Sequence, residues 1–171
     1  MRVLRALSSL LVTVTLIGCT SQSTAPGPAV LRDTAPPWPA PRDGLAQIQA
    51  AGLEPSRLDD TSGQRRFTLT IAIDGTPVAL VPYIGMDRPR ALQGPAHTHD
   101  DSGVVWLEGR GADTVTLGQF FTLWGVRFDA KCLGASCGTV AVEADGTKVA
   151  NPVALKLATV THTLHLDVTS G

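Results

Sequence analysis

The sequence lacks the motifs that most directly indicate an activity. It contains no phosphate-binding glycine loop and no paired-acid signature. It has no excess of positive charge, because 14 lysines and arginines stand against 15 aspartates and glutamates, so nothing indicates a nucleic-acid partner. No apolar run reaches the roughly twenty residues that a permanent transmembrane helix needs. Catalysis has no positive support, and a non-enzyme is the favoured class.

The start of the chain has the pattern of an export signal. Arg2 and Arg5 provide positive charge, and the thirteen residues 6–18 carry none and are mostly apolar. This stretch leads into the four residues LIGC, with Cys19 last, which resemble the bacterial lipobox, where the cysteine is diacylated and becomes the new N-terminus. We expect residues 1–18 to be a cleaved signal peptide and the mature lipoprotein to be held on the extracytoplasmic face of a bacterial membrane. The alternative is an ordinary signal peptide with a coincidental cysteine.

The rest of the chain divides into a tether and one domain. Residues 19–42 are rich in Pro, Ser and Thr and contain six of the twelve prolines. Such a segment buries too little apolar surface to fold alone, so we expect a disordered or polyproline spacer, in which Trp38 is either solvated or docked. Residues 43–171 suffice for a single α+β domain. Without Arg2 and Arg5 the mature chain has 12 basic and 15 acidic residues, a net charge of −3.

Cys132 and Cys137 are the two cysteines left for the folded domain. In a chain exported to an oxidising compartment such a pair favours a local disulfide, and Gly134 lets the spacer between them fold back tightly. A thiolate metal site and two free buried thiols are the alternatives. A blue-copper site is disfavoured because neither His nor Met follows Cys137 at short range.

Hydrophobic periodicity predicts an α+β fold that is mostly β, a small hairpin-rich sheet with one or two short helices. Asp43 can cap a helix that ends at Gly52, and a capping box with an apolar stripe indicates a second helix over 116–124. Two hairpins are predicted, one with strands 67–73 and 78–83 around the Asp74-Gly75 turn, and one with a strand at 140–142 that returns to Val149 after Asp145-Gly146. Further strands are predicted at 104–107 and over 155–168.

One cluster of ligand-type residues comprises His97, His99, Asp100 and Asp101. Two imidazoles at i and i+2 can project the same way from extended backbone, and an adjacent carboxylate can complete a Zn or Cu site or orient a ring. The competing interpretation is a polar loop whose side chains cap local backbone groups.

Other histidine patterns add little to this cluster. It matches part of the His-x-His-x-Asp-His motif of metallo-β-lactamase-like hydrolases, but Ser102 replaces the final histidine and the chain is too short for the distant ligands. His162 and His165 belong to the last predicted strand and could supply a third ligand from across the sheet. Alternation indicates that His165 is exposed.

Several motifs occur together between Leu45 and the C-terminus, namely AAGL at 50–53, IDG at 73–75, HTHD at 97–100, Glu108, and TLGQFF with WGVRF over 116–128. In these motifs the chain resembles an uncharacterised family of exported bacterial and archaeal proteins, which implies a fold and export rather than an activity. The family pattern carries further histidines where this chain has Arg66, Thr68 and Trp106. If the family binds metal, the resemblance implies that this member has lost part of the site.

The function best supported by the sequence is that of a membrane-anchored extracytoplasmic lipoprotein that binds a transition-metal ion, Cu or Zn. The ligands would be His97 and His99 with Asp100 or Asp101. A structural or partner-binding envelope module without metal is the alternative, and a metal-dependent hydrolase is a weaker one.

Overall fold

The computed structural model describes residues 29–171. The expected signal peptide, the lipidation site Cys19 and the first part of the expected tether lie outside the described residues. Within the described range the fold is α+β and mostly β, as periodicity predicted. No helix among these residues is both long enough and apolar enough to cross a bilayer.

The described chain contains two α-helices and eleven β-strands. In order they are α1 (Gly44–Ala50), β1 (Ser56–Arg57), β2 (Arg65–Ile73), β3 (Thr76–Val78), β4 (Met86–Asp87), β5 (Leu92–Gln93), β6 (Ala96–His97), β7 (Val104–Leu107), α2 (Leu117–Trp124), β8 (Cys132–Leu133), β9 (Ser136–Ala144), β10 (Thr147–Lys148) and β11 (Thr163–Ser170). Short 3₁₀ turns over Arg88–Arg90 and Leu157–Thr159 connect some of them.

The main sheet has eight strands. Six follow the order β10-β9-β11-β2-β7-β6, while β3 pairs with β2 and β8 pairs with β9. β11 runs parallel to β2, with Leu164 opposite Leu69, and antiparallel to β9, with Leu166 opposite Val142. A smaller sheet has the order β1-β5-β4. The strand that comes last in the sequence therefore lies in the middle of the main sheet.

The hydrophobic core lies between the main sheet and α2. Alternate residues of β2 and β11 point into it, which is the expected arrangement for strands with one buried face. The helix supplies the largest apolar side chains, and burying them provides much of the driving force for folding. The central core residues are Phe67, Leu69, Ile71, Leu117, Phe120, Phe121, Leu123, Trp124, Leu164, Leu166 and Val168.

Both predicted helices are confirmed together with their caps. At the start of α1 the Asp43 carboxylate accepts a hydrogen bond from the Ala46 N–H at 3.1 Å. At the start of α2, Thr116 Oγ1 accepts from the Gln119 N–H at 3.2 Å, and Gln119 Oε1 accepts from the Thr116 N–H at 2.9 Å. Gly125 ends α2 in the left-handed conformation. Capping is encoded within a few residues, so the sequence alone located both helix starts.

Two predicted strands differ from the structure. A strand was expected over 78–83, but the observed strand β3 ends at Val78. The backbone after it turns through Tyr83, at φ 68°, toward the loop that carries the histidines. The region expected to be strand over 155–168 is extended sheet only from Thr163. Leu157 instead lies in a 3₁₀ turn, where its N–H donates to Val115 O at 2.9 Å and holds the turn beside the start of α2.

Residues 29–42 lie on the domain, although the sequence analysis places them within the tether. Arg32 forms a parallel bridge with Val126. Trp38 is only 1% exposed, and its indole N–H donates to Thr34 O at 3.0 Å. Of the two alternatives for Trp38, docking is the observed one. A single buried tryptophan supplies the apolar contact area that its Pro, Ser and Thr neighbours lack.

The disulfide between Cys132 and Cys137 is present, as predicted. The two residues face each other across the β8–β9 hairpin. Gly134 in the turn has φ 56°, and a Cβ there would lie 2.5 Å from the Trp38 ring, so only glycine fits. The crosslinked hairpin is therefore the surface against which Trp38 packs.

Candidate metal centre

His97, His99 and Glu108 converge where β6 meets the end of β7. The antiparallel pairing of these strands places His97 opposite Trp106, and Glu108 follows β7 directly. His97 Nε2 lies 3.2 Å from His99 Nε2 and 3.4 Å from Glu108 Oε2. One ligand atom from each of the three residues lies within 4.8 Å of the other two. The site thus depends on strand pairing and not on one local motif.

The His97 ring is fully buried, and its two nitrogens have different roles. Nδ1 lies 3.1 Å from Gly94 O, which can only accept, so Nδ1 carries the proton and Nε2 presents a lone pair to the cluster. Burial lowers the pKa of the imidazole, and the Gly94 hydrogen bond and the Glu108 carboxylate oppose this only in part. The ring is neutral at neutral pH, which is the form that binds metal ions.

Thr98, between the two histidines, anchors the loop. Its buried hydroxyl donates to Val81 O at 2.7 Å and accepts from the Ile84 N–H at 3.0 Å. Neighbouring side chains of extended backbone point to opposite sides, so fixing Thr98 on one side directs His97 and His99 to the other. The two imidazoles stack with centroids 5.1 Å apart and an interplanar angle of 18°, which confirms that they project the same way.

Glu108 is buried, at 2% exposure, and two side-chain amides orient its carboxylate. The Gln64 amide donates to Oε1. Gln93 Nε2 lies 3.5 Å from Oε2 and also donates to Asp60 O at 3.0 Å. A buried carboxylate needs donors or a cation to offset its lost hydration. The amides hold Glu108 in place and leave Oε2 directed at His97.

His99 forms the exposed rim of the cluster and is held by stacking. Its ring lies parallel to that of Trp106, with centroids 5.1 Å apart and an interplanar angle of 12°. The Arg66 guanidinium covers Trp106 at 5.2 Å from the ring centroid. Arg66, Trp106 and His99 therefore form a stack beside the cluster, in which neither Arg66 nor Trp106 offers a ligand atom.

Asp100 and Asp101 are exposed and do not belong to the group of three. Asp100 Oδ1 instead accepts hydrogen bonds from the Ser102 hydroxyl and from the Ser102 N–H, the latter at 2.9 Å. These bonds lower the pKa of Asp100. The carboxylate in the cluster comes from Glu108, which the sequence motifs did not indicate as a ligand. A charged residue directly after the buried strand ending at Leu107 was the signal that could have singled it out.

His162 and His165 lie outside the cluster. His165 is exposed on β11, as alternation predicted, and its Nδ1 is 2.5 Å from Thr70 Oγ1. His162 precedes β11, and its backbone N–H donates to Asp145 Oδ1 at 2.8 Å. Over residues 29–171 the group therefore contains two histidines and one glutamate, with no third histidine.

Comparison with known proteins identifies no relative of this fold or site. No family model, curated protein or solved structure matches the chain. The cluster is therefore interpreted from its own geometry, which is that of a His₂Glu group at the edge of a β-sheet.

Proposed function

We propose that this protein is a lipoprotein of the extracytoplasmic face of a bacterial membrane that binds a transition-metal ion, Zn²⁺ or Cu²⁺. The ligands are His97, His99 and Glu108. The metal-binding part of this proposal is supported by the convergence of three ligand atoms within 4.8 Å, two of them on buried side chains. Buried imidazole and carboxylate groups are costly to place together without a function or a compensating partner.

The spacing of the ligand atoms suits a four-coordinate ion. Atoms bound at about 2.1 Å from a tetrahedral Zn²⁺ lie about 3.4 Å from one another. The His97–His99 separation of 3.2 Å and the His97–Glu108 separation of 3.4 Å both match that edge. The third separation, between the ligand atoms of His99 and Glu108, is at most 4.8 Å. Three protein ligands leave a fourth position for water or another small ligand.

The chemistry of the donor set supports the same ions. Imidazole nitrogens with one carboxylate favour Zn²⁺ and Cu²⁺ over Mg²⁺ and Ca²⁺, which prefer all-oxygen sites. In the tautomer fixed by Gly94, His97 Nε2 has no proton to donate to the Glu108 carboxylate, and the two atoms face each other at 3.4 Å. A cation between them replaces an unfavourable contact with two coordinate bonds.

Titration calorimetry with Zn²⁺ and Cu²⁺ tests the site. The unmodified protein should bind one ion per chain, and the His97→Ala, His99→Ala double variant should not. Glu108→Gln keeps the shape of the side chain and removes its charge, so affinity should fall by about tenfold or more. Asp101→Asn is the matched control, since it removes an equal charge from outside the cluster. Equal weak binding by all four proteins would exclude the site.

The lipid anchor is supported by the signal pattern and the LIGC sequence, and the disulfide is consistent with an oxidising compartment. The Cys19→Ala variant should be released from the membrane or remain unprocessed, because it has no thiol to acylate. Membrane fractionation and intact mass measure both results. Retention and mass identical to those of the unmodified protein would reject the anchor.

A structural module without metal is the second candidate, and one observation favours it. Gln64 and Gln93 already donate to the Glu108 carboxylate, so part of the cluster is satisfied without an ion. For such a module, the variants at His97 and Glu108 would lower thermal stability equally with and without added metal. A metal site predicts instead that added Zn²⁺ raises the melting temperature of the unmodified protein alone.

A further inference from the structure

Two of the exposed large hydrophobic side chains of residues 29–171, Val30 and Tyr83, lie on one face. Val30, Leu31 and Tyr83 are 62%, 50% and 41% exposed. Val30 lines one shallow cleft and Tyr83 lines another, and residues 40–42 form a wall common to both. Exposed apolar groups that cluster in this way commonly mark an interaction surface, whereas single ones need no explanation.

Positive charge surrounds these side chains. Arg42 lines both clefts, and Arg88 lines the second, where its guanidinium lies 4.4 Å from the centre of the Tyr83 ring. Neither arginine forms an ion pair among the described residues. Asp43, the one acidic residue lining either cleft, pairs with Arg90 at 3.2 Å. The clefts therefore present the guanidinium groups of Arg42 and Arg88, without carboxylate partners in the described part of the chain, beside exposed aliphatic and aromatic groups.

The chain reaches the described domain at this same face. Val30 lies at the N-terminal limit of the described residues, eleven positions after Cys19. At about 3.3–3.6 Å per residue, that length spans at most roughly 40 Å even when fully extended. A lipid on Cys19 therefore keeps this face within reach of the bilayer.

We infer that the face formed by Val30, Arg42, Tyr83 and Arg88 rests on the headgroup layer of an anionic lipid bilayer. Arginine attracts anionic headgroups, and tyrosine suits the boundary between headgroups and acyl chains. The exposed Val30 side chain adds apolar area at the same face. This inference rests on the lipid anchor of the proposed function and is independent of the metal site.

Tyr83 provides a specific probe because it is the only tyrosine in the chain. The full-length processed protein is reconstituted into vesicles of phosphatidylcholine, with or without phosphatidylglycerol, and Tyr83 is iodinated by lactoperoxidase. Mass spectrometry of the peptide that contains Tyr83 measures the rate of iodination. Iodination should be several-fold slower in the anionic vesicles than in the neutral ones. Comparing two vesicle types for one protein cancels any change in the intrinsic reactivity of the ring.

The Arg42→Glu, Arg88→Glu double variant should lose the difference between the two vesicle types. The Lys131→Glu, Lys148→Glu variant changes the net charge equally through lysines that line neither cleft, so it should retain the difference.

Equal rates in the two vesicle types for the unmodified protein would overturn the inference. So would slow iodination that persists in detergent, which would mean that the preceding residues cover the face. Slowing that grows with the protein-to-lipid ratio would assign the face to a second copy of the chain. Vesicle flotation with the Cys19→Ala control measures the anchor separately, so failure of the anchor is distinguishable from failure of the face.

Discussion

The indole N–H of Trp124 donates a hydrogen bond to the backbone carbonyl oxygen of Trp38 at 3.0 Å, and the two rings meet edge to face with centroids 5.6 Å apart. Trp124 is the last residue of α2, and Trp38 belongs to the segment that precedes α1. The contact fastens that segment to the helix at the centre of the core.

Trp38→Ala should therefore destabilise the whole domain. Removing a buried aromatic ring costs about 3–5 kcal/mol, which is a large part of the stability of a domain of this size. Urea unfolding followed by circular dichroism measures the change. Leu31→Ala, at a half-exposed side chain of the same segment, is the control and should stay within about 0.5 kcal/mol of the unmodified protein. Similar stability of both variants would mean that the docked segment adds nothing to the fold.

Thr98→Val should weaken both stability and metal binding. Valine has nearly the shape of threonine but leaves the buried Ile84 N–H and Val81 O without their hydroxyl partner, at a cost of about 1–3 kcal/mol. The histidines on either side then lose their fixed direction. Calorimetry and thermal unfolding measure the two effects. Thr98→Ser keeps the hydroxyl and should bind metal nearly as well as the unmodified protein, and equal losses in both variants would contradict this role.

Gly85→Ala should displace β6. Gly85 has φ 72°, and a Cβ there would collide with the Ala96 carbonyl oxygen, one residue before His97. The expected result is lower stability together with lower metal affinity. Gly146→Ala is the control, because Gly146 has a similar φ of 78° but no atom near its Cβ position. In that variant only the strain of a positive φ at alanine is expected, so the melting temperature should fall while the metal affinity stays unchanged.

Stability should depend on Asp145 in a pH-dependent way. Its carboxylate accepts hydrogen bonds from the backbone N–H groups of Thr161, Thr163 and His162 and from the Thr161 hydroxyl, all at 2.8–2.9 Å. These bonds, led by the one from the Thr161 N–H, hold the pKa of Asp145 far below its usual range. The folded-state pKa is lowered, so the stabilisation is fully present above the unfolded-state value of about 4 and is lost as the pH falls toward the folded-state value.

Asp145→Asn should accordingly melt at a lower temperature than the unmodified protein at pH 7. The gap should narrow as the pH falls below about 4, since protonated Asp and Asn then resemble each other. Thermal unfolding from pH 7 down to pH 2 measures the gap. A difference that does not change with pH would show that the charge of Asp145 has no role.

Local features of the fold were predictable, and long-range ones were not. The caps at Asp43 and Thr116, the disulfide and the exposure of His165 each follow from residues close together in sequence. The parallel pairing of β11 with β2 does not, because alternation identifies a strand but not its partner. Docking of Trp38 was undecidable for the same reason, since its contacts on α2 and the β8–β9 hairpin are about a hundred residues away.

In the candidate site, too, the contacts between residues close in sequence were predictable and those between distant residues were not. The shared direction of His97 and His99 follows from their spacing in extended backbone. Glu108 enters only because β6 folds back on β7, so its role depends on a pairing that the sequence does not show. Asp100 was the nearer carboxylate, but its proximity in sequence to Ser102 favoured a local hydrogen bond over the cluster.

The central place of β11 has a consequence for how the protein is made. Until residues 161–170 are available, β2 and β9 have no strand between them, and the Asp145 carboxylate lacks the backbone N–H groups that it binds. A growing chain can form its hairpins early but cannot unite them. The two hairpins can therefore join into one sheet only after residues 161–170 have been synthesised.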